Sequence, residues 1–349
     1  MRRSRQDLLD HRARHLLRAL IGQYIQDGEP VGSRTLARAS GLDLSPATIR
    51  NVLSDLEELG LIRAPHTSAG RIPTAQGYRL FVDALLELKP PSHDEVEHWQ
   101  HNLHSGQSTQ DVLQQASSVL SQLTHFVGVV TVPKRSQFAF RQIDFVRLAP
   151  NRLLVILVFT DNEVQNRVIE LPRAYTPSEL EEIANFLNAN YAGRSLDEIR
   201  TRLVGDLQAA KDSIDRLMRS AIEIADASFR VDTEAEMLLA GATNLMAQPE
   251  LADLERLREL FEAFQQKREL VRLMEQCIHA DGVRLFIGEE SGFAPLGQCS
   301  VITAPYGAAG KVLGVLGVIG PTRMAYDRVI PVVQTTAQIL SQSLSRISG

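Results

Sequence analysis

From Asp7 to Gln26 the apolar residues Leu9, Leu16, Leu17, Leu20, Ile21, Tyr24 and Ile25 keep helical spacing, and DGEP, with Gly28 and Pro30, predicts the stop. A shorter helix is expected over SRTLARAS, capped by Ser33 and burying Leu36 and Ala37, before Gly41 turns the chain. Ser45 then caps a third helix, with Pro46 in the first turn where a missing N–H costs nothing. Its buried stripe is Ile49, Val52, Leu53, Leu56 and Leu59, and Gly60 ends it. Two β stretches, LIRA and RIPT, flank PHTSAG, whose Pro, Ser and Gly favour a hairpin loop. This order of elements predicts a winged helix-turn-helix.

Residues 74–88 read as one more helix, leading into KPPSHDEVEHWQHNLH, a polar stretch expected to be a linker. The period then changes to β: FVGVVTVP, FAFRQIDFVRL, RLLVILVFT and EVQNRVIELP predict an antiparallel meander, followed by a helix from about Pro177 to Ala192. Between Ser195 and about Ile278 nearly everything reads as helix. Leu207, Ala210, Ile214, Leu217, Ala221 and Ile224 alternate steps of three and four, a seam suited to burial against a partner chain. ELADLERLRELFEAFQQKRELVRLMEQCI reads as a second long amphipathic helix. Strands resume with VRLFIGEE, CSVITAPY and GKVLGVLGVIG, and a last helix is expected from about Asp327 to Ser345. The expected fold is multidomain α+β: a winged helix over 1–88, a linker over 89–106, and an α/β domain over 107–194 and 281–349. A helical insertion over 195–280 interrupts that domain.

Composition changes this picture at one end. The 349-residue chain is 44% hydrophobic with a net charge of −5, which excludes a disordered chain and a uniformly basic coat for nucleic acid. Residues 1–75 nevertheless hold eleven Arg and no Lys against eight acids, a net of +3, leaving −8 for the remainder. A basic head on an acidic body is expected when one domain meets a polyanion. Cys277 and Cys299 are too few for a disulfide framework and lack metal-site spacing, so both read as core filler. No signal-peptide core is evident, and the runs 153–159 and 312–319 fall short of the ~20 apolar residues that span a bilayer. A cytoplasmic protein is expected.

The third helix is the candidate reader of DNA. With its stripe assigned to the core, Ala47, Thr48, Arg50, Asn51 and Ser54 face outward beside the cap Ser45. Arg can grip guanine bidentately, Asn can do so for adenine, and Thr offers a hydroxyl and a methyl. Asp55, Glu57 and Glu58 would be repelled by phosphates, so only the front of the helix can face the duplex. The hairpin then reads as a wing in which Arg63, His66, Thr67, Ser68 and Arg71 suit phosphate, Gly70 permits close approach, and Arg34 on the second helix joins them. A protein-interaction module is the bland alternative for the same triplet of helices.

The stretch HTSAGRIPT after LEELGLI, and the late VLGVLGVIGPTRMAYDR, resemble the HrcA family of heat-inducible transcription repressors, and the resemblance runs over essentially the whole chain. It implies a winged helix, a GAF-like α/β domain and an inserted helical dimerisation domain. It also implies a homodimer on double-stranded DNA, at the CIRCE inverted-repeat operator of chaperone operons such as groE and dnaK, with activity maintained by the GroEL/GroES chaperonin. A winged-helix regulator whose GAF-like domain senses a small ligand is the alternative.

Other signals are weaker. GAAGKV at 307–312 lacks the spacer of a phosphate loop and has Val312 where Ser or Thr would hold magnesium. Gly310, Gly314, Gly317 and Gly320 read instead as thinning a buried strand. His98, His101 and His104 drift around a helix and do not share a line, so no metal is expected, and Trp99 reads as an anchor onto a neighbouring domain. Neither GxSxG nor HExxH occurs; neither an enzyme nor a cofactor is expected.

Overall fold

A computed structural model describes residues 9–42, 44–66, 70–104, 108–161, 163–196, 198–199, 201–202, 224, 236–308 and 310–347. The first helix, α1 (His11–Asp27), begins at Asp10, whose carboxylate accepts the Ala13 N–H at 2.7 Å, and ends at Gly28 with φ 74°. Its stripe Leu16, Leu17, Leu20 and Ile21 is fully buried. In α2 (Ser33–Ser40) the cap position belongs to Gly32, with no side-chain bond, and Ser33, expected as the cap, is already helical. α3 (Pro46–Glu58) starts as predicted, Ser45 Oγ accepting the Thr48 N–H at 3.1 Å. Strands β1 (Ile62–Arg63) and β2 (Ile72–Pro73) pair antiparallel as a short hairpin, and Val31 bridges to Arg71.

After α4 (Ala75–Leu80) and a π turn to Leu85, the polar stretch expected as a linker folds as α5 (His93–His104). Trp99 and Leu103 on it are buried in the core, so it is an integral packing element rather than a tether. α6 (Thr109–Thr124) follows, started by a capping box between Ser108 and Asp111.

The body is built on a five-stranded sheet of order β7-β3-β10-β9-β8, with every neighbour antiparallel. Its strands are β3 (Val127–Thr131), β7 (Met237–Ala240), β8 (Arg284–Ile287), β9 (Cys299–Ala308) and β10 (Lys311–Pro321). Both faces are covered. Val130, Ile302, Leu316 and Val318 join the core shared with α6 and the final helix. Val127, Val129, Val301, Val315 and Ile319 join a second core with α8 (Leu254–Gln266) and α9 (Arg268–Glu275). The final helix is α10 (Tyr326–Ile347).

Three expectations are corrected here. FVGVVTVP does not join the meander: β4 (Phe140–Ala149), β5 (Arg152–Phe159) and β6 (Val164–Glu170) form their own three-stranded sheet, and β3 lies in the other. The chain leaves the five-stranded sheet after β3 and returns at β7, its direct neighbour. The excursion therefore begins after Thr131, with a sheet backed by α7 (Pro177–Tyr191), and it ends before Met237: residues 237–280, expected within the helical insertion, belong to the body. The long helix expected near 250–278 is broken at Lys267, where φ is 50°, and both halves pack on the body sheet. Of the seam Leu207, Ala210, Ile214, Leu217, Ala221 and Ile224, only Ile224 lies among the described residues, and it is buried.

The winged helix is bolted to this body. Arg79 on α4 donates from Nε to Glu290 at 3.0 Å, and from Nη2 both to Glu290 and to the Leu285 carbonyl, the latter at 2.7 Å. Burial pushes the Glu290 carboxyl up, but the Arg79 hydrogen bond and the Ile287 N–H outweigh it and hold it below the ordinary carboxylate range. In the other direction Arg323, just past β10, reaches the Ile25 carbonyl at 2.9 Å.

The strand glycines are positions of close approach. A Cβ on Gly317 would lie 2.3 Å from the Ile302 carbonyl oxygen on β9, whereas one on Gly22, inside α1, meets nothing within 4 Å. Gly317→Ala is expected to cost about 1–3 kcal/mol by overpacking. Gly22→Ala should stabilise by about 0.5–1 kcal/mol. Paired thermal melts read the opposite signs, and equal shifts would refute the backbone clash.

Candidate nucleic-acid interface

Burial decides which side of α3 can touch a duplex. Ile49, Leu53 and Leu56 are buried against α1 and α2, at a step of four and then three. The opposite side leaves Ala47, Arg50, Asn51 and Ser54 exposed beside exposed Ser45. Arg50 and Asn51 therefore stand on the front of the helix with guanidinium and amide in solvent. Thr48 is half-buried, and its hydroxyl lies 2.9 Å from that of Ser45. These two hydroxyls start the helix, and the Thr48 methyl edge is what remains for a partner.

Around this front the other expected residues divide. Arg34 on α2 and Arg63 and His66 on the wing are exposed. Arg38, which the sequence reading passed over, is exposed in the last turn of α2, and its place on the charged side of a short helix was the signal available. Thr67 and Ser68 lie outside the described residues.

Arg71 does not stand free. Its Nε donates to Glu57 at 2.9 Å and its Nη2 lies 2.8 Å from the same oxygen, with the pair partly shielded from solvent. Glu57 also accepts the Ala64 N–H at 3.1 Å. Arg71 thus ties the wing to the back of the recognition helix, and Glu57, expected as a phosphate-repelling charge, is neutralised there. A Cβ on Gly70 would lie 2.5–2.6 Å from the backbone of Pro30 and Val31, so the close approach at Gly70 is to this chain's own α1–α2 loop. Asp55 and Glu58 remain exposed on the rear of α3, which keeps the front-only orientation.

The remaining candidate chemistry has structural roles. Gly307 and Ala308 end β9 and pair with Val312 and Lys311 of β10, and a Cβ on Gly307 would lie 2.0 Å from the Lys311 carbonyl oxygen; the Lys311 ammonium is paired with Glu198. Burial pushes the Cys299 thiol up to about 12, and Cys277 is raised by burial too, as core thiols. His98 and His101 are exposed on α5, and no cluster of metal-ligating side chains occurs among the described residues. Among those residues no helix is long and apolar enough to cross a membrane.

A basic, exposed helix front beside a two-stranded wing, carried on a sheet-centred body, defines a winged-helix DNA-binding regulator. Comparison with known proteins agrees. A model of the HrcA winged helix-turn-helix DNA-binding domain matches residues 8–84, and one of the HrcA C-terminal domain matches 110–330. The heat-inducible transcription repressor HrcA of Xanthomonas campestris pv. campestris is 57% identical over 344 residues, 99% of this chain and 98% of that protein. The HrcA of Xylella fastidiosa strain M12 is 55% identical over 336 residues, 96% of each. A crystal structure of a hypothetical protein superposes with a TM-score of 0.62 at 25% identity, covering 98% of this chain and 99% of that one. The chain belongs to the HrcA family of heat-inducible transcription repressors and carries that family's DNA-binding winged helix.

The Glu57–Arg71 tie predicts a specific pattern of stabilities. Arg71→Ala and Glu57→Gln should each cost about 1 kcal/mol, and the double variant should cost no more than the worse single one. Denaturant melts of the three variants read this; fully additive losses would mean the pair does not interact.

Proposed function

We propose that this protein is a homodimeric repressor that occupies the CIRCE inverted-repeat operator of chaperone operons and is maintained in its active state by the GroEL/GroES chaperonin. The observation that carries the DNA-reading part is the exposed pair Arg50 and Asn51 on a helix whose opposite stripe is buried. Arg50 suits a guanine edge and Asn51 an adenine edge, while Arg34, Arg63 and His66 are placed for phosphates on either side. Ser45 and Thr48 hold the first turn that presents them. Repression follows from occupancy of the promoter.

Two-fold pairing of subunits matches the symmetry of an inverted repeat. An apolar surface suited to pairing lies on the three-stranded sheet, where Val146, Leu148, Val164 and Val168 are 45–54% exposed. Val146 and Val168 are both cross-strand neighbours of Leu154, so they stand side by side on one face. The seam Leu207 to Ile224 belongs to the same excursion of the chain and is proposed to contribute to that dimer.

Operator affinity should fall steeply as salt rises, because several Arg side chains displace condensed counterions. Arg50→Ala and Asn51→Ala should each lose about 1–3 kcal/mol on the operator with little change on random duplex. Gel-shift titrations on the protein's own chaperone promoter across a salt series measure both. A salt-independent affinity would reject the electrostatic contribution, and equal losses on both duplexes the reading role. For the chaperonin, adding GroEL/GroES with ATP to aged protein should restore operator binding, and no recovery counts against that part.

A further inference from the structure

The motif GPTRMAYDR, residues 320–328, is spent on the joint between the winged helix and the body. The guanidinium of Arg323 donates from Nη1 to the Ile25 carbonyl, 2.9 Å away, and from Nε to Glu250. Ile25 lies in the last turn of α1, where carbonyls have no partner within the helix and the helix dipole is negative. Gly28, the left-handed end of that helix, has the room Arg323 needs: a Cβ there would lie 3.3 Å from the Arg323 Cζ. An arginine of the body thus caps a helix of the DNA-binding domain. With its side chain 18% exposed and that of Glu250 22% exposed, this ion pair is mostly shielded from solvent.

Tyr326 of the motif makes the same crossing, and Asp327 and Arg328 hold the segment that follows the winged helix. Tyr326 is fully buried, its ring centroid 5.8 Å from that of Tyr78 on α4, and its hydroxyl is 2.7 Å from both Ser300 Oγ and the Thr322 carbonyl. The Tyr78 hydroxyl is buried with no partner among the described residues, so polar fixation of the joint falls to the charged groups. Asp327 pairs with Lys89 at 2.6 Å and Arg328 with Glu95 at 3.4 Å. Arg79 reaches back from α4 to Glu290 and the Leu285 carbonyl. Two arginines therefore span the joint in opposite directions, Arg323 from the body and Arg79 from the winged helix.

We propose that Arg323 and Arg79 are positioning residues: by clamping the winged helix on the body from both sides they fix the separation and direction of the two recognition helices in the dimer, and so the half-site spacing the repressor accepts. The proposal rests on the bivalent operator reading above. A head held rigidly meets its second half-site at high effective concentration only when the spacing matches; a loosened head loses that advantage while reading a single half-site as before.

The full-length protein, Arg323→Ala and Glu290→Gln are titrated on three duplexes. These are the inverted repeat of its own chaperone promoter, the same repeat with about half a helical turn inserted between half-sites, and a single half-site. Wild type should prefer the native spacing over the lengthened one by about 100-fold. Each variant should bind the native repeat about ten-fold or more weakly, keep its half-site affinity, and discriminate less between spacings. Unchanged spacing discrimination in both variants overturns the positioning role, and so does a parallel loss on the half-site, which would mark a defect of folding. Wild type indifferent to spacing would instead sink the bivalent reading and this proposal with it, so the two failures are separable.

Discussion

The surface proposed to face DNA exists because three side chains on the other side of its helix cannot be left in water. Ile49, Leu53 and Leu56 are buried against α1 and α2, which fixes the rotation of α3 about its own axis. Turning that helix by half a revolution would expose three large apolar groups and bury a guanidinium and an amide without partners, at several kcal/mol. The reading face is the remainder after burial is satisfied. That is why a face with few contacts of its own can be rigid, and why Ser45 and Thr48, which lock the first turn, matter as much as the residues that reach out.

The same logic organises the body. In β3 and β10 consecutive residues are buried on both faces, so their sequences are apolar without alternation and glycine appears where the neighbouring backbone comes close. Helices α6 and α10 cover one face, and α8 and α9 the other. The three-stranded sheet is different: β5 alternates, its Leu153, Val155, Leu157 and Phe159 packing inward, while the opposite face stays half-open. One sheet is sealed by its own chain and the other leaves apolar surface exposed.

What was legible in the sequence was local. Cap residues, stop glycines and the 3.6-residue stripe act over one or two turns, so α1, α3 and the wing could be placed from residues alone. Trp99 read as an anchor, but the polar residues around it hid that its own helix packs into the core. Features set by long-range pairing were not legible. VGVVT could have been assigned to the sealed sheet by its lack of alternation, but which strands it joins depends on partners far along the chain, Val127 to Val130 lying opposite Ile319 to Leu316. The helix break at Lys267 follows no Gly or Pro; it lets two apolar stripes meet one flat sheet, and only the sheet makes that necessary. The roles of Arg71, Arg79 and Arg323 were hidden for the same reason, since Glu57, Glu290 and Glu250 lie well outside any helical repeat, even though Arg79 also meets Asp83 one turn on.

This bears on how the basic head should be read. Eleven arginines in residues 1–75 suggest a broad cationic field, but among those the structure describes, two groups stand apart. Arg18 and Arg71 are paired with carboxylates of the same domain, and the local field they add is largely cancelled. Arg34, Arg38, Arg50 and Arg63 are exposed with no ion pair drawn to any of them among the described residues, and they flank or occupy the front of α3. A duplex approaching this domain therefore meets a field concentrated where the recognition helix points, with Asp55 and Glu58 behind it. Net charge located the domain; only the pairing pattern gives the field a direction, and on the proposed reading face that direction would align the backbone of a duplex with the helix before any base edge is touched.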